Sequence, residues 1–240
     1  LLSEQTNSKM KKLLLITLLC SLFQINLDAQ HHFPKDSAEW KVLHVYTGVP
    51  GSKHLESISY ISDTVINGLF YNKLSMSHKA GTVLLREDTL SSQVFLRRDP
   101  NWAWGAFADS VDYLLYDFSK LIGDTIETYS LSADTIQWNI INEGYVNVDG
   151  LQRRYIDVDR VGWVYQDRWL EGIGSLRGLF APVDEPSGWF EHKFELICFE
   201  DKGENLQYES QANLDSNFSC SSAPGNYFTI FEESPHNTLN

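Results

Sequence analysis

Apolar and polar residues alternate through most of this chain instead of recurring every third or fourth position. In Trp40-Lys41-Val42-Leu43-His44-Val45-Tyr46-Thr47 the side chains of Trp40, Val42, His44 and Tyr46 fall on one face. That period of two marks a half-buried strand. Leu55 to Ser62 follows, and Asp63 to Leu74 reads as two strands around Asn67-Gly68. Asn-Gly between β-forming runs is a strong hairpin signal, because a type I′ turn needs positive φ at both central residues. A second hairpin is predicted within Tyr145 to Ile156 around Asn147-Val148-Asp149-Gly150. A third runs from Phe194–Phe199 through Asp201-Lys202-Gly203 to Leu206–Tyr208.

Further strands are predicted at 81–86, 93–98, 111–118, 125–129 and 135–141. Asp-Thr pairs at 63–64, 88–89, 124–125 and 134–135 suit strand entry, a turn-forming Asp before a β-branched residue. No stretch of a dozen residues carries a helical stripe. Asp109 to Leu121 comes closest, and its Tyr, Val and Phe content favours a strand. Ten or more short strands imply an all-β chain: one antiparallel domain, a sandwich or partly closed barrel.

The N-terminal region breaks this pattern. Met10-Lys11-Lys12 precedes the apolar run Leu13–Phe23, then Gln24-Ile25-Asn26-Leu27-Asp28-Ala29. A basic start, a short apolar core and a small residue at the cut read as a secretory signal peptide over 10–29. The run is too short to span a bilayer, where about 20 residues are needed. Leu19 is too large to precede a lipidated Cys20, so cleavage after Ala29 is expected. Residues 1–9 read as an upstream extension, 30–220 as the β domain and 221–240 as a flexible tail. No later apolar run is long enough to anchor the mature chain in a membrane. The expected address is secreted or cell-surface, reached through the secretion machinery.

Cleavage removes three of 19 basic and two of 32 acidic side chains, leaving a net charge of 16 − 30 = −14. Nucleic acid and anionic lipid both need a basic footprint, so neither is expected as a partner. Cys198 and Cys220 survive, and an even count in an exported chain reads as a disulfide. Closing that loop stabilises by about 3 kcal/mol in the chain-entropy account.

Several segments resemble a recurrent, uncharacterised domain of exported Bacteroidetes proteins that precedes a type IX secretion sorting domain. They are Gly68–Leu74, Leu84–Asp88, Tyr113–Ser119, Ile122–Thr125, Trp169–Phe180 and Leu196–Phe199 with Cys220, in matching order. The resemblance implies an address and an architecture but carries no catalytic motif. Twenty residues follow Cys220, fewer than a sorting domain occupies.

Three constellations have candidate chemistry. Trp102 and Trp104 flank Ala103 after the turn Asp99-Pro100-Asn101, and in an extended segment they point to one side. Exposed paired indoles on a β scaffold stack on sugar rings or grip a peptide. Asp157 and Asp159 share a strand face about 6–7 Å apart, with Asp167 and Glu171 nearby and Trp163 and Trp169 as aromatic neighbours. A glycan-acting hydrolase needs two carboxylates flanking a sugar; a solvated edge explains the same residues in an acidic chain. Glu171-Gly172-Ile173-Gly174-Ser175-Leu176-Arg177-Gly178 lacks the Lys-Ser/Thr ending of a P-loop. It reads as structural, a plug carrying Trp169 and Phe180, with Glu171 bonding backbone amides. The seven histidines show no ligand spacing, and no metal or cofactor is implied. A non-catalytic binding or adhesion-type module on Trp102 and Trp104, taking glycan or peptide, is the leading expectation. The alternatives are the hydrolase and a structural spacer of a type IX-secreted protein.

Overall fold

A computed structural model describes residues 32–34, 37–46, 52–77, 81–98, 111–130, 134–148, 150–183, 192–201 and 206–209. The chain divides into Leu1–His31 and His32–Asn240, and the fold is that of the second unit. Thirteen strands and no helix occur among the described residues. They are β1 (Ala38–Tyr46), β2 (Ser52–Ile66), β3 (Leu69–Met76), β4 (Thr82–Asp88), β5 (Gln93–Arg98), β6 (Asp112–Asp117), β7 (Thr125–Tyr129), β8 (Thr135–Val148), β9 (Leu151–Arg160), β10 (Gln166–Leu170), β11 (Gly174–Ser175), β12 (His192–Asp201) and β13 (Leu206–Glu209). An eight-stranded sheet runs β13-β12-β1-β2-β3-β4-β5-β6 and a five-stranded one β11-β10-β9-β8-β7. Every pairing is antiparallel. The sheets curl as half-barrels over one core, with β6 beside β7. This is the all-β sandwich or partly closed barrel that the alternation predicts.

The Asn67-Gly68 turn has φ of 52° and 81°, as its type requires. Two long strands had read as pairs of shorter ones. β2 is continuous through a bulge at Tyr60/Ser62, and β8 through one at Ile140/Asn142. One extra residue flips the alternation, so a single strand changes phase and looks broken. β10 escapes the pattern because Gln166-Asp167-Arg168 puts a polar residue on both faces.

Between the sheets lie Trp40, Trp138, Trp169, Tyr116 and Phe199, each at most 1% exposed. Trp169 meets Tyr116 edge-on at 5.1 Å and Trp138 at 5.5 Å. These arrangements add to what area burial alone provides. The glycine-dense segment fills the remaining space. Of residues 171–183 only Glu171 and Arg177 are less than fully buried. Its backbone polar groups find partners on the barrel wall, as burial demands. Trp40 Nε1 donates to Ile173 O, Tyr116 Oη to Leu179 O, and Thr128 Oγ1 to Pro182 O. Gly174 stands where a Cβ would come within 2.8 Å of Tyr116 Oη, at φ +99°. Trp169 and Phe180 are therefore a structural plug, as the sequence suggests.

A second, smaller cluster of Leu43, Ile197 and Cys198, with Leu55 against it, lies on the opposite face of β1 and β12. Cys220 lies outside the described residues.

Candidate binding end of the barrel

Strand directions decide which connections meet. Antiparallel order turns the final residues of β1, β3 and β5 and the first of β12 one way in the larger sheet, and those of β7 and β9 one way in the smaller; Tyr113 in β6 against Tyr129 in β7 sets the two groups at the same end. Trp102 and Trp104 lie outside the described residues, between β5 and β6. The pair Arg97↔Asp112 at the base of that connection belongs to this end. The turn Arg160-Val161-Gly162-Trp163-Val164-Tyr165 joins β9 to β10 there. Arg160 N donates to Tyr165 O, and Val161 N to Gln137 O.

This end also holds a small half-open cavity of about 20 Å³, enough for one water-sized group. Apolar Ile58, Met76, Phe180 and Phe194 form its walls, and His44 and Glu56 supply polar atoms. His44 Nε2 lies 3.2 Å from Glu56 Oε2, and the two residues are 6% and 4% exposed. Phe194 meets the imidazole edge-on at 4.7 Å. The pair forms diagonally across β1 and β2, where Val42 faces Glu56 and His44 faces His54. Sequence reading placed His44 on the Trp40 face correctly but missed Glu56. Only the register brings that carboxylate to the imidazole.

Arg177 at the cavity lip lies over the Tyr165 ring at 4.2 Å. Burial and the nearby Asp167 carboxylate raise the Tyr165 phenol above its ordinary range, so it stays protonated. One step further round, the Arg160 guanidinium lies 4.8 Å over the Trp163 ring. Two arginines, each stacked on an aromatic ring, thus border this end of an otherwise acidic chain.

Of the carboxylates singled out from sequence, Asp157 and Asp159 lie on one strand face and Glu171 stands apart from them. Asp157 and Asp159 share the face of β9 opposite the buried Ile156 and Val158, as their spacing predicts. Arg168 Nε and Nη2 bind the two Asp157 oxygens at 2.6 and 3.1 Å, and Asn142 Nδ2 donates at 3.0 Å. The same guanidinium lies over Tyr155 at 4.2 Å. Both Asp157 oxygens are committed to a structural clasp. Asp159 faces Asn139 and Gln166. Glu171 sits beyond the far end of β10, its N–H donating to Arg154 O and its carbonyl accepting from Arg153 Nη1. Register separates it from Asp159 by about five residues, roughly 16 Å along the strand. Paired glycosidase carboxylates stand about 5–9.5 Å apart.

The carboxyl with the displaced proton affinity is Asp167. It is 6% exposed, and burial raises its pKa from 3.8 to about 6. Its Oδ2 accepts from Ser175 Oγ at 2.6 Å and Trp169 Nε1 at 2.9 Å, which limits the rise. Its Oδ1 is buried without a hydrogen-bond partner. Asp167 ties β10 to the plug, inside the core. Trp169 is likewise core and serves no sugar platform; among the described aromatic neighbours of the carboxylates only Trp163 is exposed. No group of three or more His, Cys, Asp or Glu with metal-binding geometry occurs among the described residues.

No protein-family model, curated protein or solved structure matches this chain.

Proposed function

We propose that this chain is an exported, non-catalytic binding module whose ligand meets the end of the barrel that carries the β9–β10 turn and the ends of β5 and β6 flanking Trp102 and Trp104 in sequence. One observation carries this reading: the plug 171–183 fills the space between the sheets and leaves beside His44 a cavity of only about 20 Å³. A sugar ring or peptide residue is several times larger than one water, so this cavity does not hold one, and the proposal puts recognition on the surface. Arginine-backed aromatic rings and the base of the Trp102/Trp104 connection border that surface. The Asp157–Arg168 clasp gives Asp157 a structural role between β9 and β10, which weakens the glycan-acting hydrolase alternative.

Export through the 10–29 signal peptide and a Cys198–Cys220 bridge belong to the same proposal. Such a bridge would pin the chain following β13 against the Leu43–Ile197 cluster. The likeness to the exported Bacteroidetes domain agrees with a secreted or surface address.

The test is a thermal-shift screen of the processed protein, disulfide intact, against soluble glycans, peptides, Ca²⁺ and Cu²⁺. A ligand that binds only the folded state raises the melting temperature by mass action, about 2.7 kcal/mol at a hundredfold excess over Kd. Glycan or peptide binding abolished by Trp102→Ala or Trp104→Ala would place the site on that connection. A flat screen on a cooperatively melting protein would favour the structural spacer.

A further inference from the structure

We infer that Arg86 and Arg97, on the outer face of the larger sheet, form a binding site for a single carboxylate group. The site goes beyond the binding-module proposal and stands independently of it. Pleating puts Arg86 of β4, Phe95 and Arg97 of β5 and Asp112 of β6 on the face away from the core residues Leu85, Val94 and Leu96. Register sets Arg86 opposite Phe95 and Arg97 opposite Asp112. One carboxylate holds both arginines. Arg86 Nε lies 3.0 Å from Asp112 Oδ2, and Arg97 Nη1 lies 3.5 Å from Oδ1. The Tyr71 hydroxyl donates between the same two oxygens, at 2.9 and 3.0 Å. Aromatic rings support the guanidiniums, Arg86 at 4.2 Å over Phe95 and Arg97 at 5.7 Å over Tyr71.

Positive charge and hydrogen-bond donors are left over. Two cations share one anion, so one positive charge at this cluster is unmatched. Asp88 and Asp117, further along the same face, are engaged elsewhere. Asp88 Oδ1 accepts from the backbone of Leu90 and Ser91, and Asp117 accepts from Ser119 N and Gln93 Nε2. Because Arg86 spends Nε on Asp112, its terminal Nη1–Nη2 edge stays open. Because Arg97 spends Nη1 on Asp112 and Tyr71, its Nε–Nη2 edge stays open. Those nitrogens are not among the buried polar atoms that lack a hydrogen bond, so they reach solvent. The two side chains are nevertheless only 14% and 11% exposed. Donors held in place before a ligand arrives lose little freedom on binding, which favours affinity.

The leftover charge selects the ligand. One unmatched positive charge balances a monoanion, whereas inorganic sulfate or phosphate would overcompensate it in a chain of formal charge −13. A carboxylate is a planar monoanion whose two oxygens meet a guanidinium edge together. Two sources supply such a group, a free organic acid and a uronic acid residue of a glycan.

NMR titration of the isotope-labelled full-length protein at low salt, following the arginine Nε–H signals, tests this. The titrants are lactate, galacturonate, trigalacturonate, neutral methyl galactoside and inorganic sulfate. The carboxylates should shift the Arg86 and Arg97 signals, and methyl galactoside should not. Arg86→Gln should weaken binding about tenfold. Arg86→Lys, which keeps the charge but lacks the planar edge, should also weaken it. Asp112→Asn removes the competing charge while keeping an acceptor for Tyr71, and should tighten binding; a purely structural cluster would respond to no titrant. Trigalacturonate binding tighter than lactate and galacturonate would support the site and identify a glycan as the source. Equal binding of all three would support it with a free acid as the source. Wild type unmoved by every carboxylate would overturn the site, as would binding unchanged in both Arg86 variants. Sulfate bound as tightly as galacturonate would overturn the carboxylate assignment. Should Arg86→Gln fail to fold, wild type and Arg86→Lys decide by the same signals.

Discussion

Asp167 is the residue whose chemistry departs furthest from what its neighbours in sequence suggest. Trp169 and Ser175 both donate to one of its oxygens while the other is buried without a donor. Burial lifts its pKa to about 6, so the folded protein holds this proton more tightly than the unfolded chain does. For a group shifted upward, the stability contribution is fully present below about pH 4 and is lost as pH rises through 6. The difference bounds the loss at roughly 3 kcal/mol. Asp167→Asn keeps a carbonyl acceptor for Trp169 and Ser175 and removes the titration. Urea denaturation at pH 4 and pH 7 should show the variant gaining on wild type with rising pH, by up to that amount. A constant difference between the two proteins would mean that Asp167 ionises without penalty. Nothing in the run Gln166-Asp167-Arg168 announces this residue. Its partners Trp169 and Ser175 are close in sequence, but the burial that raises its proton affinity comes from the packing of the sheets and the plug around it.

At the level of elements, the alternation and the Asn67-Gly68 signal were legible because both are local. A strand's period and a turn's φ requirement involve only adjacent residues. The phase slips at Tyr60/Ser62 and Ile140/Asn142 were not legible, since a bulge is defined by what faces it across the ladder. The glycine-dense segment was recognisable as structural, but not as the filling of the barrel. Gly174 tests that role. A methyl at this position meets the Tyr116 hydroxyl and a left-handed backbone at once. Gly174→Ala should lower stability by roughly 2–4 kcal/mol, read from the urea midpoint. An unchanged midpoint would show that the plug yields easily and that Tyr116 is not a fixed wall.

Across the whole molecule, the closing of two half-barrels over one aromatic core turns a list of strands into one end rich in connections. A Cys198–Cys220 bridge would add a long-range tie on the outer face of the larger sheet. Cys220→Ser in the processed protein should then cost about 3 kcal/mol. Reductant should shift wild type to the variant's melting temperature and leave the variant unmoved. Equal melting with and without reductant in both proteins would exclude a structural bridge. Peptide mapping without reduction identifies the partner directly.

Short-range patterning determined the fold class, most strand positions, the two-residue turn and the shared face of Asp157 and Asp159. Each follows from stereochemistry that a few neighbouring residues impose on themselves. Tertiary structure decided the chemistry. It buried Asp167, joined His44 to Glu56, clasped Asp157 with Arg168 and placed Arg160 behind Trp163. Proton affinity, ion pairing and exposure depend on the dielectric and the partners that register and sheet packing supply. Those partners sit 10 or more residues away along the chain for His44 and Glu56, and on different strands for Asp157 and Arg168. A candidate site read as a string of acidic and aromatic residues therefore separated into a core tie, a structural clasp and one exposed indole.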